Sequence, residues 1–384
     1  MTEVVILSAA RTPLGRRNGW LREIHPVRLG ADALCEALAR AQLDPSLVEH
    51  VIMGCVSQVA EQTFNLARNV VLDAGLPQET PATTIDFQCG SSQQAVHLAA
   101  GLIASGQAEI VVAGGVESMT RVPMGSSLVN GAPFTDRIMQ TYNIVPQGIA
   151  ADEIAQKWGI SRAEVDQIGY DSHLKAAQAQ SNGWLDAEIL PLQGVDDEGR
   201  PFIVSRDQGV RPNASLEKMA ALQPAFGADG VTTAGNSSQI TDGAAALVLT
   251  SRQKAESLGL KPRARLLSMV TVGSDPHLML TGPIEATRKV LSRAGLTRDQ
   301  IDLFEVNEAF ASVIGMWSRE IGAPMSRVNL HGGAIALGHP LGASGARLMT
   351  TLLHALQTHD KRYGLQTMCC GGGMGTGTII ERLP

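Results

Sequence analysis

The sequence has no long apolar run, no segment rich in Lys and Arg, and no Cys-x-x-Cys pair. Because a membrane-spanning helix needs about 18 or more apolar residues, we predict no membrane contact of that kind. The formal net charge of −6, with no basic run to offset it, argues against a nucleic-acid partner. The cysteine spacing also argues against a zinc site, and we predict no metal.

The five cysteines are an odd number in a chain of 384 residues, and they lie at positions 35, 55, 89, 369 and 370. This usage favours reduced thiols over a disulfide framework. The chain opens with an acidic residue and a short apolar strand, which differs from a secretory leader. We therefore expect a cytoplasmic protein.

Hydrophobic residues make up 44% of the chain, and 40 residues are glycine. This composition is typical of an α/β protein with many tight turns, and the length predicts two or three units. Strand-like and helical apolar patterns alternate along the sequence, which indicates a parallel or mixed sheet covered by helices on both faces.

The order of predicted elements recurs after residue 263, which indicates a duplication. In this repeat, a strand predicted at 328–331 corresponds to the strand that leads into Cys89. A loop-rich, charged segment separates the two parts. We predict an N-terminal α/β half (1–117 plus 240–262), an inserted loop subdomain with ligand contacts (118–239) and a C-terminal α/β half (263–384).

Cys89 lies where a predicted strand ends and a predicted helix begins, since apolar residues recur at helical spacing from Ala95 to Ile103. The free N–H groups and the positive dipole end of a helix stabilise a thiolate. We therefore expect a lowered pKa and a nucleophilic Cys89. On position alone, a buried structural cysteine is an equal alternative.

Asn307 and His339 are two further candidates. Asn307 follows an apolar strand, where it either presents its amide to a ligand or caps a helix with Glu308 in the first turn. His339 lies in a loop whose glycines let the backbone approach a ligand, and Pro340 favours an extended His339. A lone histidine is more often structural, but this loop favours a functional one.

The glycine-rich run at 368–377 superficially resembles a dinucleotide-binding loop. No Gly-x-Gly-x-x-Gly register fits it, and too few residues follow for the helix and second strand that this motif needs. We interpret it as a strand that brings a cysteine into a cleft, beside exposed glycine amides.

Six motifs together resemble the thiolase family, in family order from residue 8 to residue 377. They are Gln88-Cys89-Gly90-Ser91-Ser92-Gln93-Gln94-Ala95, Gly114-Gly115-Val116-Glu117-Ser118-Met119, the run from Thr233 to Ala245, Asn307-Glu308-Ala309-Phe310, Gly338-His339-Pro340 and Cys369-x-Gly371-Gly372-Gly373. The resemblance implies an α/β fold with a duplicated five-layer αβαβα architecture, mixed sheets and an inserted loop subdomain.

The resemblance also implies that the protein cleaves a 3-ketoacyl-CoA through an acyl-enzyme. CoA would be the co-substrate, and no cofactor would be tightly bound. Cys89 would be the nucleophile, His339 its base, and Cys369 the acid and base for the enolate and for CoA. One oxyanion site would use His339 and a water held by Asn307. The other would use the N–H groups of Cys89 and Gly371.

By the same resemblance, Arg211 would lie near the CoA nucleotide and Ser238 near the pantetheine arm. A solvated loop arginine and a serine in a buried turn are the alternatives. Family members often carry methionine where this chain has Gln147, so a polar pocket wall makes a preference for plain short acyl chains doubtful. Cys370 replaces a branched apolar residue. Family members are usually homodimers or homotetramers.

The expected function is degradative, on fatty-acid or on ring- and steroid-derived substrates, because the Cys89-Gly-Ser-Ser-Gln-Gln form resembles thiolases of ring and steroid breakdown. A biosynthetic acetoacetyl-CoA thiolase and a β-ketoacyl synthase-like condensing enzyme are alternatives, and the second cysteine disfavours the synthase. A silent acyl-CoA-binding subunit is the non-enzymatic alternative. The intact Cys89, His339 and Cys369 argue against it.

Overall fold

The computed structural model describes residues 2–129 and 131–384. The strands are β1 (Val4–Arg11), β2 (Gly15–Arg16), β3 (His50–Gly54), β4 (Ala82–Ile85), β5 (Ile110–Ser118), β6 (Leu192–Val195), β7 (Pro201–Val204), β8 (Thr241–Ser251), β9 (Ala264–Gly273), β10 (Leu303–Val306), β11 (Tyr363–Cys370) and β12 (Met374–Arg382). The helices are α1 (Pro26–Ala41), α2 (Leu66–Asp73), α3 (Ser91–Ala104), α4 (Asp136–Tyr142), α5 (Gln147–Lys157), α6 (Arg162–Ser181), α7 (Leu216–Ala220), α8 (Arg252–Ser257), α9 (Gly282–Ala294), α10 (Ala311–Ile321) and α11 (Ser344–Thr358).

The main sheet repeats one strand order about its middle. On one side the order from the edge inward is β4-β3-β5-β8-β1, and on the other it is β10-β11-β12-β9. In both halves the outer strands are parallel and the inner ones antiparallel. The halves meet where Val5 and Ile6 of β1 pair with Arg265 and Ala264 of β9. This topology is the duplication that the element order predicts.

Helices cover both faces of each half-sheet. α1 and α2 pack on the outer face of the first half, and α9 and α10 on the outer face of the second. α3 and α11 pack against each other between the two half-sheets, with Ala95, Ala99, Ala346 and Leu353 in one core cluster. The layers therefore run helix, sheet, helix, sheet, helix, and the predicted fold class is confirmed.

The strand predicted at 328–331 is wrong. Val328 makes one isolated parallel bridge with Phe304, after which Asn329 adopts the left-handed conformation, with φ of 48°. Its side-chain amide then takes the place of a strand: Oδ1 accepts from Val306 N–H at 2.8 Å and Nδ2 donates to Val306 O at 2.9 Å. Val328, Asn329 and His331 are buried like the residues of a strand, but after Val328 the main chain turns away from β10.

Helices α4 to α7 and the two-stranded sheet of β6 and β7 lie in the segment predicted as an insertion. β8 pairs with β5 and β1, which supports its assignment to the N-terminal half. The domain bounds themselves remain our proposal. Among the described residues, no helix is both long and apolar enough to cross a membrane.

Candidate active site

Cys89 lies at the end of a tight loop that is held by hydrogen bonds between its own residues. Gln88, directly before Cys89, has a φ of 51°, a left-handed conformation that few side chains other than asparagine and aspartate adopt readily. Asp86 Oδ1 accepts from Gln88 N–H at 2.7 Å, and Ser91 Oγ accepts from Phe87 N–H at 2.8 Å. These bonds hold Cys89 one residue before Gly90, the N-cap of α3.

The loop that carries His339 reaches Cys89 because glycines let the two central helices start close together. A Cβ on Gly345 would overlap the main-chain nitrogen of Gln93 in α3. Glu117, at the end of β5, accepts from Gly342 N–H at 2.8 Å with one oxygen, and that same oxygen accepts from Val56 N–H at 2.8 Å. A buried carboxylate therefore ties the His339 loop to the first half of the chain.

The protonation of the His339 ring follows from the partners of Ser344. The Ser344 hydroxyl donates its one hydrogen to Pro340 O at 2.8 Å, so it must accept from His339 Nδ1–H, 2.6 Å away. Nε2 then carries the lone pair of the ring, and it faces Asn307 Nδ2 at 3.4 Å. Burial, with a smaller effect of the Arg347 charge, lowers the pKa of His339 to about 3, so the ring is neutral at rest.

Asn307 lies between this histidine and Cys369. Its Nδ2 is 3.4 Å from His339 Nε2 and 3.9 Å from Cys369 Sγ. The helix-cap alternative for Asn307 is wrong, because α10 begins at Ala311 and its N-cap is Phe310. Asn307 Oδ1 is buried and has no hydrogen-bond partner among the described residues. The amide is therefore held by the end of β10 and directed at two polar side chains.

The expected lowering of the Cys89 pKa is wrong for this structure. Burial raises the pKa of the Cys89 thiol well above its usual value, and the nearby Cys369 raises it further. The main-chain N–H groups of Cys89 and Gly371 lie near the Cys89 sulfur and lower its pKa, but by less than burial raises it. Cys89 and its two amide neighbours therefore form a dry, uncharged site.

Cys369 and Cys370 point to opposite faces of β11, as neighbours on a strand do. Burial raises the pKa of Cys369 to about 11, and the Asn307 amide partly offsets this. Cys370 packs with Cys89, Leu348 and Met368 in an apolar cluster. Its sulfur faces Gly90 so closely that a Cβ there would lie 2.6 Å away. Asn307 therefore contacts Cys369, the cysteine predicted as acid and base.

The three predicted substrate-binding residues lie in different places. Arg211 lines a cavity of about 400 Å³ together with Lys218 and His173. Ser238 donates its N–H to Ala309 O at 3.0 Å, beside the loop that holds Asn307. Gln147 begins α5 and covers Gly371, since a Cβ on Gly371 would lie 2.8 Å from Gln147 Nε2.

Three supporting residues escape prediction from the sequence. Ser344 orients His339, Glu117 anchors the His339 loop, and Asn329 fixes the end of β10. Ser344 follows the Gly338-His339-Pro340 motif by four residues, Glu117 lies inside the Gly114–Met119 motif, and Asn329 lies outside all six motifs. The residue types were visible in the sequence, but their partners were not. His173 is buried, and its Nδ1 accepts from Arg211 N–H at 3.2 Å.

The chain is similar to known proteins along almost its whole length. Family models of the thiolase N-terminal domain and the thiolase C-terminal domain match residues 4–253 and 260–382. The chain is 46% identical over 393 residues to the steroid 3-ketoacyl-CoA thiolase FadA6 of Mycobacterium tuberculosis, covering 100% of this chain and 95% of that protein. It is 44% identical over 388 residues to a 3-ketoacyl-CoA thiolase of Aliivibrio fischeri, covering 100% of both chains. It is 43% identical over 391 residues to an acetyl-CoA acetyltransferase of Chromobacterium violaceum, covering 99% of this chain and 100% of that protein. With both family models matched in order across almost its whole length, this chain belongs to the thiolase family.

Proposed function

We propose that this enzyme uses CoA to cleave a 3-ketoacyl-CoA into acetyl-CoA and an acyl-CoA shortened by two carbons. The observation that carries the proposal is a cluster in which Asn307 Nδ2 lies 3.4 Å from His339 Nε2 and 3.9 Å from Cys369 Sγ, with the N–H groups of Cys89 and Gly371 near the Cys89 sulfur. Once that sulfur carries an acyl group, the same two donors are next to the thioester oxygen. Donors of this kind are each worth about 2.7–4 kcal/mol of activation free energy.

In the first step Cys89 Sγ attacks the C3 carbonyl of the substrate while its proton passes to His339 Nε2. Both groups are neutral at rest, because burial raises one pKa and lowers the other. The proton therefore moves as the sulfur–carbon bond forms, rather than before substrate binds. The new oxyanion at C3 accepts hydrogen bonds from the N–H groups of Cys89 and Gly371.

Breaking the C2–C3 bond leaves Cys89 acylated and releases the enolate of acetyl-CoA. The Cys369 thiol protonates the enolate carbon, which becomes the methyl group of acetyl-CoA. The resulting Cys369 thiolate takes the proton of an incoming CoA thiol, whose sulfur attacks the Cys89 thioester. The enolate oxygen accepts hydrogen bonds from the protonated His339 and from a water held by Asn307, whereas the oxyanion formed by CoA attack lies at the N–H groups of Cys89 and Gly371. Cys89 then leaves as its thiolate and regains its proton from His339. Each step uses only this chain's groups, water and CoA.

CoA carries phosphates, and the cavity beside Arg211 offers two cations in a chain of negative net charge. Arg211 and Lys218 line it together with the apolar Met219 and Leu222. Guanidinium groups bind phosphate oxygens in pairs, whereas Lys acts as a point charge. We assign the nucleotide end of CoA to this cavity and the pantetheine arm to the surroundings of Ser238.

We infer a degradative role because the relatives named above include two 3-ketoacyl-CoA thiolases, one of them a steroid thiolase. Ring- or steroid-derived acyl groups are therefore candidate substrates. All five cysteines are free thiols in the structure. Since Cys89 and Cys369 act only when reduced, a reducing compartment such as the cytoplasm fits the proposed chemistry.

We also propose a homo-oligomer built on the β4 edge. Among the described residues, β4 pairs only with β3; on its other edge Asn65 Nδ2 donates to Ala82 O, and the remaining main-chain groups face outward. Phe64, which is 88% exposed, and Leu72 add apolar surface near that edge. A second copy related by a twofold axis would pair both edges at once. Sedimentation should show a dimer or tetramer, and Phe64→Glu should weaken it relative to Phe134→Glu.

The activity is tested by mixing the protein with acetoacetyl-CoA or longer 3-ketoacyl-CoAs and free CoA, and following the loss of enolate absorbance. The wild type should turn over at least one chain length. Cys89→Ser should lower the rate by roughly 10⁴-fold or more, because the nucleophile is lost. Cys35→Ser, at an exposed thiol of α1, is the matched control. Folded wild-type protein that cleaves none of these thioesters would rule out the proposal.

A further inference from the structure

Two glutamine carboxamides from separate elements converge on the main chain of Gly371. Gln147 is the first residue of α5, and Gln88 lies in the left-handed turn before Cys89. A Cβ placed on Gly371 would lie 2.8 Å from Gln147 Nε2 and 3.2 Å from Gln88 Oε1. The donor end of one amide and the acceptor end of the other therefore flank the same short piece of backbone.

This position adjoins the group that Cys89 would receive. Gly371 N–H lies near the Cys89 sulfur, so the first carbons of a Cys89-bound acyl group would lie close to Gly371 and its two carboxamides. An apolar substituent there would remove water from both amides without replacing its hydrogen bonds. Leaving buried polar groups unpaired costs more than an ordinary hydrogen bond contributes.

A negative charge lies close behind this pair. Asp86 accepts from Gln88 N–H at 2.7 Å, and its two oxygens lie 3.4 and 3.3 Å from Gln88 Nε2. That interaction orients the Gln88 amide so that Oε1 is the end left for a ligand. A carboxylate on the acyl group would be repelled by Asp86, whereas an uncharged hydroxyl or carbonyl would not.

We propose that the preferred acyl group carries an uncharged hydrogen-bonding substituent, a hydroxyl or a carbonyl, read by Gln147 Nε2 and Gln88 Oε1. A hydroxyl accepts from Gln147 and donates to Gln88, which uses both amides at once. This inference rests on the proposed function, because it assigns the substrate class of the same site.

The test is a matched pair of 3-ketoacyl-CoAs of equal chain length, one with a plain methylene and one with a hydroxyl-bearing carbon close to C3. The wild type should favour the hydroxylated thioester in kcat/KM by about tenfold, the size of one net hydrogen bond. In Gln147→Met that preference should vanish or reverse. Gln156→Met, at an exposed position of the same helix, should keep the wild-type ratio.

A third substrate, with a carboxylate in place of the hydroxyl, tests the role of Asp86. It should be cleaved more slowly than the hydroxylated one, and Asp86→Asn should narrow that gap. Equal kcat/KM of the wild type for the plain and hydroxylated thioesters would overturn the inference while leaving the proposed cleavage intact. A wild-type preference that Gln147→Met leaves unchanged would also overturn it. Failure to cleave any of the three would instead contradict the proposed function.

Discussion

The two halves of the sheet are alike, but the loops that enter the two central helices differ. In the first half, strand β4 runs into the Gln88–Cys89 turn and α3. In the second half, the equivalent strand is replaced by the Asn329 turn, followed by the His339 loop and α11. The duplicated framework thus sets two helix starts side by side, and the loops give one a thiol and the other an imidazole.

The first residue of each central helix is a serine whose hydroxyl donates one hydrogen bond to a main-chain carbonyl and accepts another. The group from which it accepts differs between the two helices. Ser91 Oγ donates to Gln88 O at 2.6 Å and accepts from Phe87 N–H. Ser344 Oγ donates to Pro340 O and accepts from His339 Nδ1–H. One hydroxyl fixes the backbone before the nucleophile, and the other fixes the protonation of the base. The equivalent serine therefore stabilises the loop in the first half and orients the proposed base, His339, in the second.

The largest expected effect separates the adjacent thiols on β11. Cys369→Ala should lower the exchange of the acetyl-CoA α protons by about 10³-fold, because the acid and base is lost, yet Cys89 should still become acetylated. Cys370→Ala should keep the exchange, since Cys370 packs on the other face of the strand. Proton exchange is read by NMR in deuterated buffer. Normal exchange in Cys369→Ala would transfer the role to Cys370.

Replacing each of the two serines by alanine tests the difference between the starts of α3 and α11. Ser344→Ala should lower kcat by about 10- to 100-fold and alter its pH profile, because the His339 protonation is no longer fixed. Ser91→Ala should mainly destabilise the fold, by about 1 kcal/mol, through loss of a hydrogen bond in the loop. Steady-state kinetics and urea unfolding measure both. Similar kcat losses with unchanged pH profiles would mean that Ser344 is only structural.

The two neutral groups predict how Cys89 reacts with an alkylating agent. Since burial raises its pKa and lowers that of His339 to about 3, no thiolate–imidazolium pair forms in the free enzyme near neutral pH. Alkylation of Cys89 by iodoacetamide should therefore rise by about tenfold per pH unit from pH 7 to pH 9. Cys89→Ser gives the background from the other thiols. A plateau that begins below pH 7 would show a preformed ion pair instead.

The smallest expected effect concerns the strand positions that differ between the halves. Asn329→Ala should destabilise the protein by about 1–3 kcal/mol, because it leaves both polar groups of the Val306 backbone unpaired. Asn329→Gly keeps the left-handed turn and should cost less. Thr83→Ala, at an exposed position of β4, should change stability by less than about 0.5 kcal/mol. Urea unfolding of the three variants gives the comparison.

Much of the fold follows from the sequence because apolar period and turn residues are local signals. The helix predicted to begin after Cys89 is α3, which begins at Ser91, and the predicted recurrence of elements is found in the strand order of the two halves. The strand at 328–331 is mispredicted because its burial pattern is strand-like, while the Asn329 side chain supplies the hydrogen bonds. A local pattern cannot distinguish a backbone partner from a side chain that imitates one.

For the site, the sequence supplied residue types and order, but not their electrostatics. It placed Cys89 at a helix start and gave the reason for a lower pKa, whereas burial under Leu348 and Met368 from the second half acts in the opposite direction. The helix-cap alternative for Asn307 also required the structure, because α10 starts four residues later. Long-range burial and the exact start of a helix are the properties that local spacing leaves open.

The central claim of the proposed mechanism is that the shortened acyl group is carried by Cys89. Wild-type protein mixed with a 3-ketoacyl-CoA in the absence of free CoA, quenched rapidly with acid and digested, should yield one acylated peptide. Mass spectrometry should place the shortened acyl group on Cys89, and the reaction should release one acetyl-CoA for each adduct. An adduct on Cys369 or Cys370, or release of acetyl-CoA without any adduct, would contradict the account.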